Sequence, residues 1–274
     1  MGKLDESALG KATAYRDRYD PAVLLPLPRA DQRTQLGLAT RLPFHGVDIW
    51  NAYELSWLGQ RGQPRVAMAE FRVPATSPNL IESKSFKLYL NGFAQERVGE
   101  QATLMAILAR DLSAAAGAEV AVTLHAADAP GAPAGTLAGL SLDDQDLAID
   151  CYGPPRPEYL VTVADATPVS ETLVSHLLRS NCPVTGQPDW GSVQISYVGL
   201  PIDRAGLLRY IVSFRQHSEF HEHCVERMFV DLMQRCAPSE LSIHARYTRR
   251  GGLDINPFRS TADVQPENLR TPRQ

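Results

Sequence analysis

Cys182 and Asp189 stand seven positions apart (189 − 182) in the stretch Ser180-Asn181-Cys182-Pro183-Val184-Thr185-Gly186-Gln187-Pro188-Asp189-Trp190. A thiol and an acid on one rigid loop are the pair that nucleophilic addition with proton transfer needs. The thiolate attacks, and the acid hands a proton to the atom that gains charge. Two prolines and a glycine restrict the backbone between them, so the stretch is expected to be neither helix nor central strand. A packed small hydrophobe and a turn-forming aspartate would use the same residues, and the stretch alone leaves both readings open.

Further titratable groups open a predicted helix at Ser218-Glu219-Phe220-His221-Glu222-His223-Cys224-Val225-Glu226, with Ser218 as its expected N-cap. Phe220, Cys224, Met228 and Met233 form an apolar stripe that belongs to the core. His217, His221 and His223 with Glu219, Glu222 and Glu226 suit a solvated first turn, with acids favoured by the helix dipole. They equally suit a histidine proton relay beside a carboxylate that accepts two parallel N–H bonds, as an aminopyrimidinone edge offers. Cys182 with His221 or His223 and Cys224 has the donor atoms for zinc, but neither HExxH nor CxxC spacing occurs. Two stretches suit an anion: Arg249-Arg250-Gly251-Gly252, and the helix start carrying Ser83, Lys84, Ser85 and Lys87. Neither GxGxxG nor GxxxxGK[ST] is present, which leaves a Rossmann or P-loop nucleotide site unsupported.

The elements that must position these groups are legible in outline. Residues 1–45 read as an extension, with a short polar helix at 5–18 and a proline-rich irregular run after it. Strands are expected at 47–58, 65–73, 119–125, 147–152, 171–178, 192–198 and 241–248, and helices at 80–93, 97–112 and around Tyr210 and 221–236. Gly62-Gln63-Pro64 recurs as Gly186-Gln187-Pro188, an offset of 124 (186 − 62), and the same offset superposes strands and helices on either side. This implies a duplicated β-β-α-α-β-β unit and an α+β fold with antiparallel sheets. The units are taken as 46–160 and 161–274. Leu58 falls opposite Cys182 and Arg65 opposite Asp189, so the thiol and the acid belong to one copy alone, which favours function over packing.

The 274 residues are 44% hydrophobic and 21% charged, enough for a packed core. A net charge of −4 argues against a broad nucleic-acid surface. No apolar run has the length of a membrane span or the form of a signal core, and four cysteines without CxxC spacing suit a reduced, cytoplasmic protein.

Four stretches together resemble the NADPH-dependent 7-cyano-7-deazaguanine reductases, the nitrile reductases of queuosine biosynthesis, in their long two-unit form. They are Glu82-Ser83-Lys84-Ser85-Phe86-Lys87-Leu88-Tyr89, the Cys182 to Asp189 loop, Phe220-His221-Glu222, and Tyr247-Thr248-Arg249-Arg250-Gly251-Gly252-Leu253-Asp254-Ile255-Asn256-Pro257. The resemblance implies tandem tunnelling-fold units, in agreement with the duplication. It implies Cys182 as the nucleophile of a covalent thioimide, Asp189 as proton donor, and His221 with Glu222 at the substrate. Ile81, Glu82 and Ser83 would form a second substrate segment. Ser83, Lys84, Arg250 and Gly251 would contact NADPH. A homodimer is implied and a metal is not; the substrate is a free base, so tRNA binding is not expected. A proton donor works best with a raised pKa, so Asp189 is expected to be protonated near neutral pH and to share a proton with Cys182. Two other readings stay open: a zinc-dependent cyclohydrolase of the same fold, and a non-catalytic deazapurine-binding protein.

Overall fold

The computed structural model describes residues 18–38, 41–128 and 135–274. The helix expected at 5–18 lies outside the described residues except for Arg18. The segment ahead of the first unit has structure of its own. β1 (Pro26–Pro28) pairs with β4 (Asn79–Ile81), and α1 (Ala30–Gln35) follows. The first unit comprises β2 (His45–Leu58), β3 (Pro64–Pro74), β4, α2 (Ser83–Asn91), α3 (Gln101–Ala116) and β5 (Ala121–Ala126). After β6 (Leu140–Ser141), the second comprises β7 (Val169–Ser175), β8 (Arg179–Asn181), β9 (Pro188–Gly199), α4 (Arg204–Ser213), α5 (His221–Cys236), β10 (Glu240–Tyr247) and β11 (Leu253–Ser260).

One nine-stranded sheet runs through both units in the order β5-β3-β2-β11-β10-β9-β7-β6, with β8 added on β9. All its pairings are antiparallel except β6 on β7. The seam is β2 against β11, from Leu253↔Ala52 to Ser260↔His45. Two apolar cores lie under the helices. One joins β2 and β3 to α2 and α3 through Trp50, Phe71, Phe86 and Leu108; the other joins β9 and β10 to α4 and α5 through Ile195, Ile243, Tyr210 and Phe229.

The duplication is visible in side chains. Tyr89 of α2 donates to Asp111 of α3 at 2.8 Å and meets Phe93 edge-on; Tyr210 of α4 donates to Asp231 of α5 at 2.6 Å and meets Phe214 edge-on. The first strands keep the offset of 124, as Pro64 and Pro188 open β3 and β9. The tyrosines are only 121 apart (210 − 89), because the link from β3 to α2, which contains β4, is longer than the link from β9 to α4.

Three expectations need correction. The 80–93 helix begins at Ser83, because Leu80 and Ile81 belong to β4. The next helix begins at Gln101 rather than 97, because Gly99, at φ +84°, exchanges bonds with Leu58 and Trp57 and holds the chain in a loop until then. Residues 147–152 form no strand. β11 runs through Pro257 in mid-sheet: its ladder with β10 stops at Phe258, and the Asn256 side chain accepts the Tyr247 N–H instead.

Candidate active site

The Cys182 loop is tighter than expected. Ser180 and Asn181 are in β8, Asp189 and Trp190 are in β9, and the turn between closes through Cys182 N–H to the Gln187 carbonyl at 2.9 Å. Gly186 makes the return at φ +67°. Asn181 N–H bonds the His217 carbonyl, and Glu219 N–H bonds the Asn181 carbonyl, so the cysteine strand is tied to the approach of α5.

Cys182, Pro183, Asp189, Phe220, His221 and Glu222 face a cavity of about 630 Å³ at the seam. Trp50, Leu80, Ile81, Ser83 and Lys87 of the first unit form the opposite wall, and Thr248, Arg250, Leu253 and Ile255 complete it. Of the residues expected from the sequence, Cys182, Asp189, His221, Glu222, Ile81, Ser83 and Arg250 therefore converge on one space.

Glu82, Lys84 and Gly251 do not line it. Glu82 is fully buried as the N-cap of α2, its two oxygens accepting the Lys84 and Ser85 N–H groups at 2.8 Å each. This occupies the helix-start amides that had suggested an anion site. Gly251 lines an adjoining cavity of about 330 Å³ with Glu54, Asn91 and Gly252, and Lys87 and Leu253 stand in the walls of both. Gly251 and Gly252 have φ of +56° and +74°, and a Cβ on Gly252 would meet the Glu54 carboxylate at 2.5 Å. The donor set here, with the Lys87 and Arg250 cations, the Ser83 hydroxyl and a backbone free of side chains at Gly251 and Gly252, fits the phosphates of a dinucleotide.

Asp189 departs from expectation. Arg250 Nη1 bonds one of its oxygens, and His221 Nε2 lies 3.3 Å from the other. Burial pushes its carboxyl up, but the hydrogen bond and charge of His221 and the charge of Arg250 outweigh burial and hold it below the usual range. It is a carboxylate at neutral pH, not the protonated acid expected from the sequence. The His221 ring stacks on Tyr247 at 3.8 Å between centroids, which fixes its plane. Glu222 is 2% exposed; burial, with Asp48 adding to it, raises its carboxyl to about 6 against the opposing pull of His221 and Arg29.

The remaining acids and histidines of that stretch are not a solvated turn. α5 starts at His221 after Phe220, without a side-chain cap, so Ser218 is not its N-cap. Glu219 pairs with His217 and Arg227, Glu226 is fully buried among arginines, and His223 is buried, its pKa pushed down to about 4. Among the described residues, no three His, Cys, Asp or Glu side chains gather as metal ligands, and no helix is long and apolar enough to cross a membrane.

Sequence reasoning left Lys87 as one of several basic residues at a helix start. Its spacing of four from Ser83 puts the two on one helix face, the signal that assigns it to the wall. Burial and Arg250 lower its pKa, while Glu82, Asp189 and Cys182 pull the other way. Trp50 and Thr248 carried no signal.

Comparison with known proteins places the chain in a family. Residues 15–124 match the family model described as nitrile reductase, 7-cyano-7-deazaguanine-reductase N-term, and residues 188–266 match that of the QueF-like protein. The NADPH-dependent 7-cyano-7-deazaguanine reductase of Burkholderia vietnamiensis is 59% identical over 98% of this chain and 99% of its own. That of Burkholderia multivorans is 58% identical over the same shares. A solved structure of the archaeosine synthase QueF-Like in the apo form covers 37% of this chain and 99% of its own at 14% identity and a TM-score of 0.32, too slight a likeness to carry weight. With identity of this level along nearly the whole length, and the thiol, acid, histidine and glutamate in one cavity, the chain belongs to the NADPH-dependent 7-cyano-7-deazaguanine reductases.

Proposed function

We propose that this chain reduces the nitrile of 7-cyano-7-deazaguanine to an aminomethyl group with two NADPH, through a covalent thioimide on Cys182, as a step of queuosine biosynthesis for tRNA modification. The convergence of Cys182, Asp189, His221 and Glu222 on one cavity carries this reading. Glu222 accepts N–H bonds from the aminopyrimidinone edge, and Ile81 and Ser83 hold the base from the other unit, with Glu82 capping the helix that carries Ser83.

A nitrile is a poor electrophile until it is bent and protonated. The Asp189 carboxylate takes the proton from the Cys182 thiol; sulfur bonds to carbon, one C–N π bond breaks, and the same proton passes to nitrogen. No electrons are gained in this step. Asp189 thus serves as base before it serves as acid, which suits its ionised resting state, and His221 holds the carboxylate in place. Reduction to the amine takes four electrons; Ser83, Lys87, Arg250 and Gly251 would hold NADPH, which would supply them to the carbon as two hydrides. Between the two, the carbon–sulfur bond breaks and Cys182 departs as thiolate, leaving a C=N bond that water would hydrolyse. Trp50, Leu80, Phe220, Leu253 and Ile255 keep water from it.

On this reading the segment 1–45 precedes two units, 46–160 and 161–274, and the protein works as a cytoplasmic homodimer. The test is NADPH oxidation with the nitrile: two NADPH consumed per nitrile, and none in Cys182→Ala. No oxidation, with one tightly bound zinc per chain, would move the chain to the cyclohydrolases.

A further inference from the structure

One turn along α5 from Glu222, Glu226 enters an ion cluster that the reaction does not itself use. Arg29, in the segment before the first unit, donates to Asp48 of β2 at 2.6 Å. Arg259 of β11 bridges Asp48 at 2.8 Å and Glu226 of α5 at 2.8 Å. Arg33 of α1 forks onto Glu226 at 2.9 and 2.7 Å. All five side chains are at least nine-tenths buried. Three guanidinium groups face two carboxylates, so the cluster carries one positive charge in excess in a place closed to water, which is costly. The excess has a location: Arg29 Nη1 is buried without a hydrogen-bond partner among the described residues, and Glu226 Oε1 is 3.9 Å away.

Glu222 precedes Glu226 by four positions on α5, so both project from one face of the helix. The clamp on Glu226 fixes the rotation of that helix, and with it the aim of Glu222 into the cavity. An ionised Glu222 also supplies the third negative charge. We propose that Arg29 and Asp48 are positioning residues that set the charge of Glu222, which makes the N-terminal segment part of the substrate-recognition apparatus. This rests on the reading of Glu222 as the acceptor of the base edge.

The charged and titratable groups around Glu222 are Arg29 and Arg33 of the N-terminal segment, Asp48 of β2, Lys87 of α2, Asp189 of β9, His221, His223 and Glu226 of α5, Arg250 of the β10–β11 turn, and Arg259 of β11. Asp48 and Arg29 act on Glu222 in opposite senses, the first favouring its neutral form and the second its charged form. A merely structural role for the cluster would not move a binding limb in opposite directions when either residue is neutralised.

The experiment uses the full chain and the amine product, 7-aminomethyl-7-deazaguanine, which has no nitrile and cannot form an adduct. Its dissociation constant is measured by tryptophan quenching between pH 5 and 8. We expect the wild type to lose affinity as pH falls through the Glu222 limb, and Glu222→Gln to lack the limb. Arg29→Gln moves the limb up by roughly one pH unit, Asp48→Asn moves it down by a similar amount, and Arg29→Lys leaves it in place. A variant that is merely destabilised weakens binding at every pH without moving the limb. A limb at one pH in the wild type, Arg29→Gln and Asp48→Asn would overturn the inference and leave the role of Glu222 standing. A limb absent from the wild type, or surviving in Glu222→Gln, would overturn both.

Discussion

On the proposed reading, Glu222 stores a conflict between stability and binding. Its carboxyl is raised from an ordinary value of 4.5 to about 6, first by burial and then by Asp48, so the folded protein binds its proton more tightly than the unfolded chain does. The stability this proton confers is complete below pH 4.5 and is lost as pH rises through about 6. At pH 7.5 the buried carboxylate therefore costs on the order of 2 kcal/mol. Glu222→Gln should melt higher than the wild type at pH 7.5 and equally at pH 4.5, while binding the base far more weakly. The comparison has to be a difference between the two proteins. His223 and His244 are buried neutral, with pKa values pushed down to about 4 and 3, and both weaken the fold as acid charges them. Equal melting points at pH 7.5 would contradict the conflict. At Asp189 the account is equally specific: Asp189→Asn has no base to take the thiol proton, so adduct formation by that variant should fall at least a hundredfold, and rapid adduct formation would sink the role.

α5 depends on the ion cluster one turn along from Glu222 as much as on its cavity residues. Glu226 receives Arg33 and Arg259 with no solvent to soften a loss. Glu226→Gln, which leaves two guanidinium groups short of a charge, should cost about 3–5 kcal/mol, read as a fall in the urea midpoint. A cost below about 1 kcal/mol, the range of exposed pairs, would show that the cluster is solvated. Here the sequence was least informative. Proline-rich flanks made residues 18–38 read as an extension, and arginines in such a run look solvated; nothing local announces that Arg29 and Arg33 enter the core. The His-Glu-His stretch misled in the same way, because which groups face the cavity depends on partners brought from other elements. The helices themselves were legible, since the Phe86, Tyr89, Leu90 and Phe93 stripe encodes its own face.

One nine-stranded sheet joins the two units, and the candidate site lies at the join. The thiol, the acid and the His-Glu pair come from one unit and Ile81, Ser83 and Lys87 from the other, so neither holds a complete cavity. Residues 161–274 produced alone should neither form the adduct nor oxidise NADPH, and would expose the edge of β11 that β2 covers. An active isolated half would refute the shared site. This level was legible because a duplication leaves a nearly constant offset, here 124 at β3 and β9 and 121 at Tyr89 and Tyr210. That Cys182 and Asp189 share a site was legible because each stands in one copy alone, opposite Leu58 and Arg65. The charge of Asp189 was not, since it is set by Arg250, 61 positions away, and by His221.

The most direct test of the central claim is the intact mass of the protein mixed with 7-cyano-7-deazaguanine in the absence of NADPH, beside Cys182→Ala. The account predicts a gain equal to the mass of the nitrile, absent from the variant and discharged when NADPH is added. A wild-type protein that keeps its unmodified mass while still oxidising NADPH with the nitrile would contradict covalent catalysis by Cys182.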